Sequence, residues 1–451
     1  MAEQAIALRD AERERKVALL AASTKTSQTT PRVPSTSAST SSSPESSIIL
    51  AYCRVPDERV QNLELSLGYR MLQMAGIKPG GPSLSPDLGA FHEWYDKYRA
   101  GEKFEPNDWD EFHTATDNLM AFTIKHAAAV CATAAGAADA TFVKNYQAAE
   151  PVVVDEAARL PEYQHWPLLG LFPNVVGKIL VGDPNQLHPM TESKGDSINP
   201  FERQVEMSLQ ERLQTLGFES AFFTTQYRAV PDIAAIYNNA CYESRLTNDE
   251  STHVTARPLA QDIVSHNEQR YDRSTSVIFY NPPDPKEEYT FNGSKCCAQY
   301  ATIVLKILEG LLLAGFGSDK PCSIAILTPY QGQERILRIA KAKMAEKYGV
   351  AANVILETAG KVQGIEYDIV IVDPVAVKSP GFLDKNRLNV LFSQAKSGLY
   401  VVGHYRSWIW MWKDDSLPLW TIAKELKKYQ VDWPAGQTLA SEFFDPSVLD
   451  D

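Results

Sequence analysis

The sequence predicts an α/β fold with mainly parallel strands, and two segments carry that prediction. The apolar run 152–154 is typical of a buried parallel strand, and two acids, Asp155 and Glu156, follow it directly. A second run, Lys178-Ile-Leu-Val-Gly, leads into the polar turn 183–186. Because the carboxyl ends of parallel strands meet at one edge of a sheet and bind ligands there, both turns are predicted to point into one crevice.

The two acids suit the chemistry of a nucleoside triphosphate. Magnesium, which accompanies the triphosphate, takes one or two carboxylates and keeps several waters, and a second acid is needed to orient the attacking water. Asp155 suits the metal and Glu156 suits the water. A solvated loop start is the alternative for an isolated Asp-Glu pair, and the second strand with its turn favours the nucleotide site.

The same two segments resemble motifs of a known family. VVVDEAA and LVGDPNQLHP are similar to motifs II and III of superfamily 1 helicases, in the up-frameshift-type branch. The stretch 50–63 resembles motif Ia of that family. Residues 129–136 resemble its next strand and nucleic-acid loop, with Thr133 as the typical hydroxyl.

Four further motifs follow in the family's order. The segment QYR at 226–228 resembles the family's QYR motif. IAILTPYQGQ at 324–333 resembles motif IV, and TAGKVQGIEYD at 358–368 resembles motif V. RLNVLFSQAKSGLYVVG at 387–403 resembles motif VI. The resemblance covers residues 48–405. It implies an α/β protein with two RecA-like P-loop NTPase domains whose sheets are mainly parallel, the first domain being incomplete.

The predicted organisation begins with a disordered Ser/Thr-rich leader at 1–47. The first domain spans 48–200, with one of its strands before Cys131, and a connecting helix spans 201–217. The second domain spans 218–410, with strands at 323–328, 369–373 and 399–402 and loops over 247–285. The tail at 411–451 contains tryptophans. Trp408, Trp410 and Trp412 are predicted to pack against the second domain, and a peptide-docking surface is the alternative.

Two departures from the family pattern affect the same chemistry. The sequence has no phosphate-cradling GxxxxGK[ST] loop upstream of motif Ia, so the first sheet is expected to lack an inner strand and the first domain to be poorly stable. Motif VI reads Ser393-Gln394-Ala395-Lys396 where the family has Thr-Arg-Ala-Arg. Gln394 therefore occupies the position of the arginine that reaches the γ-phosphate.

The resemblance implies a role for each matching position. Asp155 would hold magnesium and Glu156 would orient water, while Gln186 and Arg228 would contact the γ-phosphate. The nucleoside of ATP would be bound by Tyr227 stacking on the adenine and by Gly364 and Glu366 near the ribose, with Asp183 also at the cleft. Candidates for nucleic-acid backbone contacts are Thr133, Thr328 and Thr358. For Arg228 the alternative is a structural salt bridge, and for Tyr227 it is ordinary core burial.

Composition limits the alternatives. A net charge of −12 gives no overall basic surface for nucleic acid. Arg335, Arg338, Lys341 and Lys343 are a candidate local contact, against a solvated helix face balanced by acids. The six cysteines form no CxxC pair, which argues against a zinc site. The longest apolar runs are interrupted by charges, so no membrane span is predicted, and a cytoplasmic or nuclear location is expected.

Three functional hypotheses remain open at this stage. The first is an ATP- and magnesium-dependent translocase or helicase acting on single-stranded RNA or DNA. The second is a relative that keeps a nucleotide-shaped cleft without hydrolysing ATP and binds nucleic acid or protein. The third is a fragment of a longer helicase. The first two depend on the expectation that Asp155, Glu156, Gln186 and Arg228 converge around one triphosphate. Protein partners are not predicted.

Overall fold

The computed structural model describes residues 63–80, 89–147, 149–191, 199–379, 381, 383–411, 418–432 and 442–443. The predicted leader and all but the last residue of the 50–63 match lie outside the described residues. The chain divides into two compact units, residues 1–181 and 182–451. The domain boundaries predicted above at 200 and 218 stay a prediction.

In the described part of the first unit, helices outnumber strands. Its helical core buries Leu72, Tyr95 and Leu119 completely. The longest helix begins at a capping box in which Asp108 accepts a hydrogen bond from the Glu105 amide at 2.9 Å. The helices are α1 Leu67–Met74, α2 Gly89–Arg99, α3 Pro106–Lys125, α4 Ala134–Ala137, α5 Ala140–Asn145 and α6 Glu162–Gly170, with a 3-10 turn at Leu63–Leu65.

Two parallel strands, β1 (Pro151–Val154) and β2 (Gly177–Leu180), form where the sequence predicted them. The strand positions are confirmed, but the predicted burial is wrong, since Val153 and Ile179 are 53% and 54% exposed. Within the described residues this sheet has only two strands, and the small apolar cluster packed against it includes Val154 but neither Val153 nor Ile179. The prediction of a strand before Cys131 is also wrong. Residues 129–133 form no strand and lead into α4, which Thr133 caps.

The second unit contains most of the strands. Its helices are α7 Glu202–Val205, α8 Leu209–Thr215, α9 Pro231–Cys241, α10 Pro258–Tyr271, α11 Ala298–Leu313, α12 Gln331–Lys347, α13 Lys385–Ser393, α14 Tyr405–Met411 and α15 Pro418–Leu426. Its strands are β3 Thr225–Gln226, β4 Thr247–Asn248, β5 Val277–Asn281, β6 Glu288–Tyr289, β7 Lys295–Cys296, β8 Ile324–Thr328, β9 Ile355–Thr358, β10 Tyr367–Val372, β11 Ala395–Val402 and β12 Gln430–Asp432. Short 3-10 turns lie at Glu250–Thr252, Val254–Ala256, Gly349–Asn353, Ala359–Lys361 and Lys427–Tyr429.

Six of these strands form one parallel sheet in the order β12-β5-β11-β10-β8-β9. Alternate residues of a strand point to opposite faces, and both faces of this sheet are covered. Val370 and Val372 pack into the core that includes α9 and α13, while Ile369 and Ile371 pack into the core that includes α11 and α12. This double burial explains the continuous apolar runs in the sequence, and it confirms the predicted α/β fold.

Two predicted regions differ from the structure. The stretch 247–285, predicted as loops, contains α10 and β5, because Ala260, Ile263 and the run 277–279 are fully buried. The stretch 201–217 forms two short helices rather than one, and its end residue Leu216 is 63% exposed.

The tryptophan and basic-helix predictions have mixed outcomes. Trp408 is fully buried as predicted, whereas Trp410 is 67% exposed, and Trp412 lies outside the described residues. On α12, Arg338 forms an ion pair with Glu334, and the Lys341 ammonium donates to the Val354 carbonyl at 2.8 Å. These contacts favour a structural helix face over a nucleic-acid contact. Among the described residues, no helix is long and apolar enough to cross a bilayer.

Candidate functional site

The motif III turn in the second unit is organised by the Asp183 carboxylate. One oxygen accepts the Asn185 amide at 2.9 Å, and the other accepts the Gln186 side-chain amide at 3.2 Å and the Tyr242 hydroxyl. Burial first, and then the nearby Asp183 charge, raises the pKa of Tyr242, so its hydroxyl remains a donor. Asp183, predicted to line the nucleotide cleft, therefore orients Gln186 within the turn.

Helix α13 holds the same turn through two asparagines. The Asn389 amide donates to the Asn185 carbonyl at 2.9 Å and to the Tyr242 hydroxyl at 2.7 Å. The Asn386 amide donates to the Pro184 carbonyl at 2.9 Å and also to the Gln186 carbonyl. Motif VI thus fixes the backbone of motif III. Sequence reasoning missed both asparagines, although they lie within or next to a matched motif.

Arg228 forms the ion pair that was its structural alternative. Its Nε lies 3.1 Å from Glu366, and its Nη1 donates to the Ser393 carbonyl at 2.9 Å and to the Gln394 side-chain carbonyl at 3.2 Å. The Arg228 and Glu366 side chains are still 32% and 48% exposed, whereas Gln394 is fully buried. Gln394 therefore serves as an acceptor for Arg228 at the position where the family has a second arginine.

The turn containing Tyr227 and Arg228 is fixed through its backbone. Arg257 donates to the Arg228 carbonyl at 2.5 Å, the Tyr227 carbonyl at 2.9 Å and the Ser251 carbonyl at 2.8 Å. The Gln226 side chain accepts the Arg228 amide at 3.0 Å. Tyr227 itself is 64% exposed, so the alternative of core burial is wrong. Sequence reasoning missed Arg257, which lies outside every matched motif.

Motif V contacts the same arginine through Glu366. Lys396 lies 3.1 Å from Asp368 and 3.7 Å from Glu366, so Glu366 faces two cations. Burial alone would raise the pKa of Asp368, but hydrogen bonds from Ser323 and Lys396 hold it below its ordinary value. Gly364 has a φ of +81°, the left-handed region that glycine enters most readily.

The two threonines proposed for nucleic-acid contact in this unit differ in exposure. Thr328 and Thr358 are register partners at the carboxyl ends of β8 and β9. Thr358 is partly exposed, whereas Thr328 is fully buried, and its hydroxyl has no hydrogen-bond partner among the described residues. The burial of Thr328 argues against a direct contact with a strand, because no oxygen atom of its side chain is accessible.

In the first unit, the acidic pair lies at the end of β1, as predicted. Asp155 is exposed and its carboxylate accepts the Glu156 amide at 3.0 Å, while the Ala157 amide donates to the Val181 carbonyl at 2.8 Å. Glu156 has a φ of +53°, which is strained for a residue with a side chain and is often seen at functional sites. Thr133 accepts the Gly136 amide at 3.0 Å as the cap of α4.

Each unit, taken separately, offers some of the side-chain types that bind a magnesium nucleotide. The second unit offers a guanidinium, an exposed tyrosine ring and a half-exposed carboxylate in Arg228, Tyr227 and Glu366. The first unit offers the exposed Asp155. Among the described residues, no three His, Cys, Asp or Glu side chains group as a metal cage. Magnesium needs no such cage, because it binds through one or two carboxylates together with phosphates.

Comparison with known proteins agrees with the motif order. Two family models, each described as an AAA domain, match residues 94–194 and 205–406. The chain is 29% identical to mouse 5'-3' DNA helicase ZGRF1 over 254 residues, which are 56% of this chain and 12% of the relative. It is 30% identical to the Schizosaccharomyces pombe DNA polymerase alpha-associated DNA helicase A over 280 residues, or 58% of this chain and 38% of the relative.

A third relative comes from the branch that the motifs resemble. The chain is 27% identical to regulator of nonsense transcripts 1 of Dictyostelium discoideum over 287 residues, or 62% of this chain and 20% of the relative. The chain thus spans well under half the length of these curated relatives. The matched domains confirm the RecA-like fold, and a dependence on ATP and magnesium is implied by the family. The chain belongs to the superfamily 1 helicases, in the up-frameshift-like branch.

Proposed function

We propose that this helicase-like protein binds a magnesium nucleotide and single-stranded nucleic acid, and that it hydrolyses ATP slowly or not at all. The observation that carries the proposal is Gln394, which is fully buried and accepts a hydrogen bond from Arg228. A neutral, buried side-chain amide that is hydrogen-bonded to Arg228 supplies no positive charge to a phosphate. A cytoplasmic or nuclear location is part of the same proposal.

The nucleotide-binding role rests on the residues around Arg228. The Arg228 guanidinium would contact the terminal phosphate, Tyr227 would stack on the base, and Glu366 would accept a ribose hydroxyl beside Gly364. Gln186, oriented by Asp183, would contact the same phosphate. Support comes from the exposure of Tyr227, Arg228 and Glu366 and from the number of hydrogen bonds that fix the turn behind them.

In the first unit, Asp155 is proposed to ligate the magnesium ion and Glu156 to orient a water molecule. The bound magnesium would neutralise phosphate charge. Support comes from the exposure of Asp155 at the end of β1 and from the left-handed backbone at Glu156. Thr133 and Thr358 are proposed to contact the nucleic-acid backbone.

Slow hydrolysis follows from the absence of a positive charge at Gln394. An arginine at this position of a phosphoryl-transfer site is worth about three to five orders of magnitude in rate. Lys396 does not replace it, because its ammonium is paired with Asp368 at 3.1 Å and lacks the two-pronged geometry of a guanidinium. Binding is expected to survive this loss, since it depends on Arg228 and Tyr227.

An active single-strand translocase is the second candidate. The left-handed backbone at Glu156 favours it, because strained residues cluster at active sites. The names of the relatives, which describe DNA helicases, also favour it. The two candidates differ in turnover and share nucleotide binding.

The test separates binding from turnover in the full chain. Calorimetry with ATP and magnesium should give binding that Arg228→Gln and Tyr227→Ala weaken. An ATPase assay with and without oligo(U) or oligo(dT) should give turnover no higher than that of Glu156→Gln. Turnover that is stimulated by a single strand and abolished by Glu156→Gln would establish the active translocase instead. No binding of ATP at millimolar concentration would refute nucleotide binding itself.

A further inference from the structure

A short hairpin in the second unit presents two aromatic rings to solvent. Strands β6 and β7 pair antiparallel, with Tyr289 opposite Lys295. The turn between them is closed by the Thr290 amide donating to the Ser294 carbonyl at 2.9 Å, and Gly293 has a φ of +72°. We call residues 286–297 the aromatic hairpin.

The rings of the aromatic hairpin are unusually accessible. Phe291 is 97% exposed and Tyr289 is 57% exposed. A buried phenylalanine ring stabilises the folded protein through the apolar area that it removes from water, and a fully exposed ring makes no such contribution. Exposed aromatic rings held on a defined backbone are suited to stacking with a ligand.

The base of the hairpin is held by a buried ion pair. Lys295 and Glu287 lie 3.2 Å apart, and their side chains are 11% and 1% exposed. Glu287 also accepts the Tyr289 hydroxyl at 2.8 Å and the Lys378 amide at 3.1 Å. Burial by itself would raise the pKa of Glu287, but these hydrogen bonds lower it below its ordinary value. The carboxylate therefore stays charged and keeps the base of the hairpin fixed.

The hairpin is also attached to motif IV. The Gly332 amide, at the start of α12, donates to the Ser294 hydroxyl at 2.9 Å. A side-chain carbon at Gly332 would lie 2.9 Å from the Thr290 methyl carbon and 3.0 Å from the Ser294 carbonyl oxygen, so glycine allows this close approach. The hairpin is thus attached to the first turn of α12, the helix that follows β8.

The surroundings of the rings favour nucleic acid over protein. Thr290, Asn292 and Gly293 separate or flank them, so the tip is not the continuous apolar patch that a protein interface core requires. Lys286 and Lys378 are exposed beside the base of the hairpin, where Asp284 is also exposed and Glu288 is partly exposed, while the charge of Glu287 is neutralised by Lys295. Isolated rings next to cations match the pattern of proteins that bind single strands by stacking.

We propose that Phe291 and Tyr289 form a stacking platform for the bases of a single-stranded nucleic acid. This inference rests on the proposed nucleic-acid function and names a contact for it outside the matched motifs. Because every base has a flat face, the platform is expected to accept RNA and DNA strands of different sequence.

The test is fluorescence anisotropy of the full chain with labelled oligo(U) and oligo(dT). Base stacking on one ring is worth about 1–3 kcal/mol, so Phe291→Ala should weaken binding by about 5- to 150-fold. Phe291→Trp should retain binding. Tyr289→Phe keeps the ring and tests the hydroxyl separately from Tyr289→Ala. Phe223→Ala is the matched control, because Phe223 is 80% exposed and lies outside the hairpin.

Two further measurements distinguish stacking from other effects. Phe291→Ala removes no charge, so the slope of affinity against salt concentration should stay as in the wild type. An oligonucleotide with abasic sites should bind the wild type and Phe291→Ala equally. Equal binding of the intact strand by both proteins would overturn the stacking platform alone. Failure of the wild type to bind any strand would overturn the proposed nucleic-acid function as well.

Discussion

Replacing Arg257 tests whether the turn carrying Tyr227 and Arg228 is held by one side chain. The Arg257 guanidinium donates to three backbone carbonyls at 2.5–2.9 Å, two of them in that turn. Hydrogen bonds from charged donors contribute about 1.5–3 kcal/mol each when buried, and Arg257 is only partly buried. Allowing for water that replaces some of them, we expect Arg257→Ala to lower the free energy of unfolding by about 2–4 kcal/mol.

The measurement is urea unfolding of the full chain followed by tryptophan fluorescence, together with calorimetric ATP binding. Arg257→Lys should recover little of the loss, because one ammonium does not span three carbonyls. Arg273→Ala is the control, since the exposed Arg273 side chain donates only to the Gln430 carbonyl at 3.3 Å among the contacts described. If Arg257→Ala and Arg273→Ala unfold at the same urea concentration and bind ATP alike, the positioning role of Arg257 is refuted.

Three other predictions test charge and stability elsewhere. Burial raises the pKa of Asp373 to about 7, so the folded state holds the proton of this carboxyl more tightly than the unfolded state does. The free energy of unfolding should therefore fall as pH rises from about 4 to 7, by up to about 1.4 kcal/mol per pH unit. Asp373→Asn should flatten this profile in urea unfolding at pH 5–8, and parallel profiles would contradict it. Gln394→Arg should place a second guanidinium beside Arg228 and destabilise the nucleotide-free protein by about 3 kcal/mol in thermal unfolding. Gln394→Glu should not destabilise it. A Gln394→Arg protein as stable as the wild type would count against the proposed packing. In hydrogen exchange, amides of β1 and β2 should exchange about 100-fold faster than those of β8 and β10, because β1 and β2 are largely exposed. Equal protection of the two pairs of strands would contradict this prediction.

Much of the second unit was predictable from local sequence pattern. The runs at 324–328, 369–372 and 399–402 are strands because they bury side chains on both faces of a parallel sheet, and this burial requires continuous apolar residues. β5 escaped prediction because its short apolar run lies within a polar stretch, where periodicity gives a weak signal. The burial expected for β1 failed because burial depends on what covers a strand, which its own residues do not specify.

The partners of the site residues could not be predicted in the same way. Arg228 contacts residues 138 to 166 positions away in the chain, and Asp183 accepts a hydroxyl 59 positions away. Arg257 and Asn389 matter because of where their donors lie in space. Gln394 is recognisable from the sequence as a departure from the family pattern. Only the structure shows that its side-chain carbonyl accepts a hydrogen bond from Arg228.

The sequence by itself determined the family, the α/β class and the identity of the polar residues at the strand ends. These follow from short-range pattern, since a strand and the turn after it are written in neighbouring residues. The tertiary structure decided that Asp183 orients Gln186, that Arg228 pairs with Glu366, that Thr328 is buried and that Phe291 is exposed. Burial and pairing depend on distances between segments far apart in the chain, and the fold alone sets those distances.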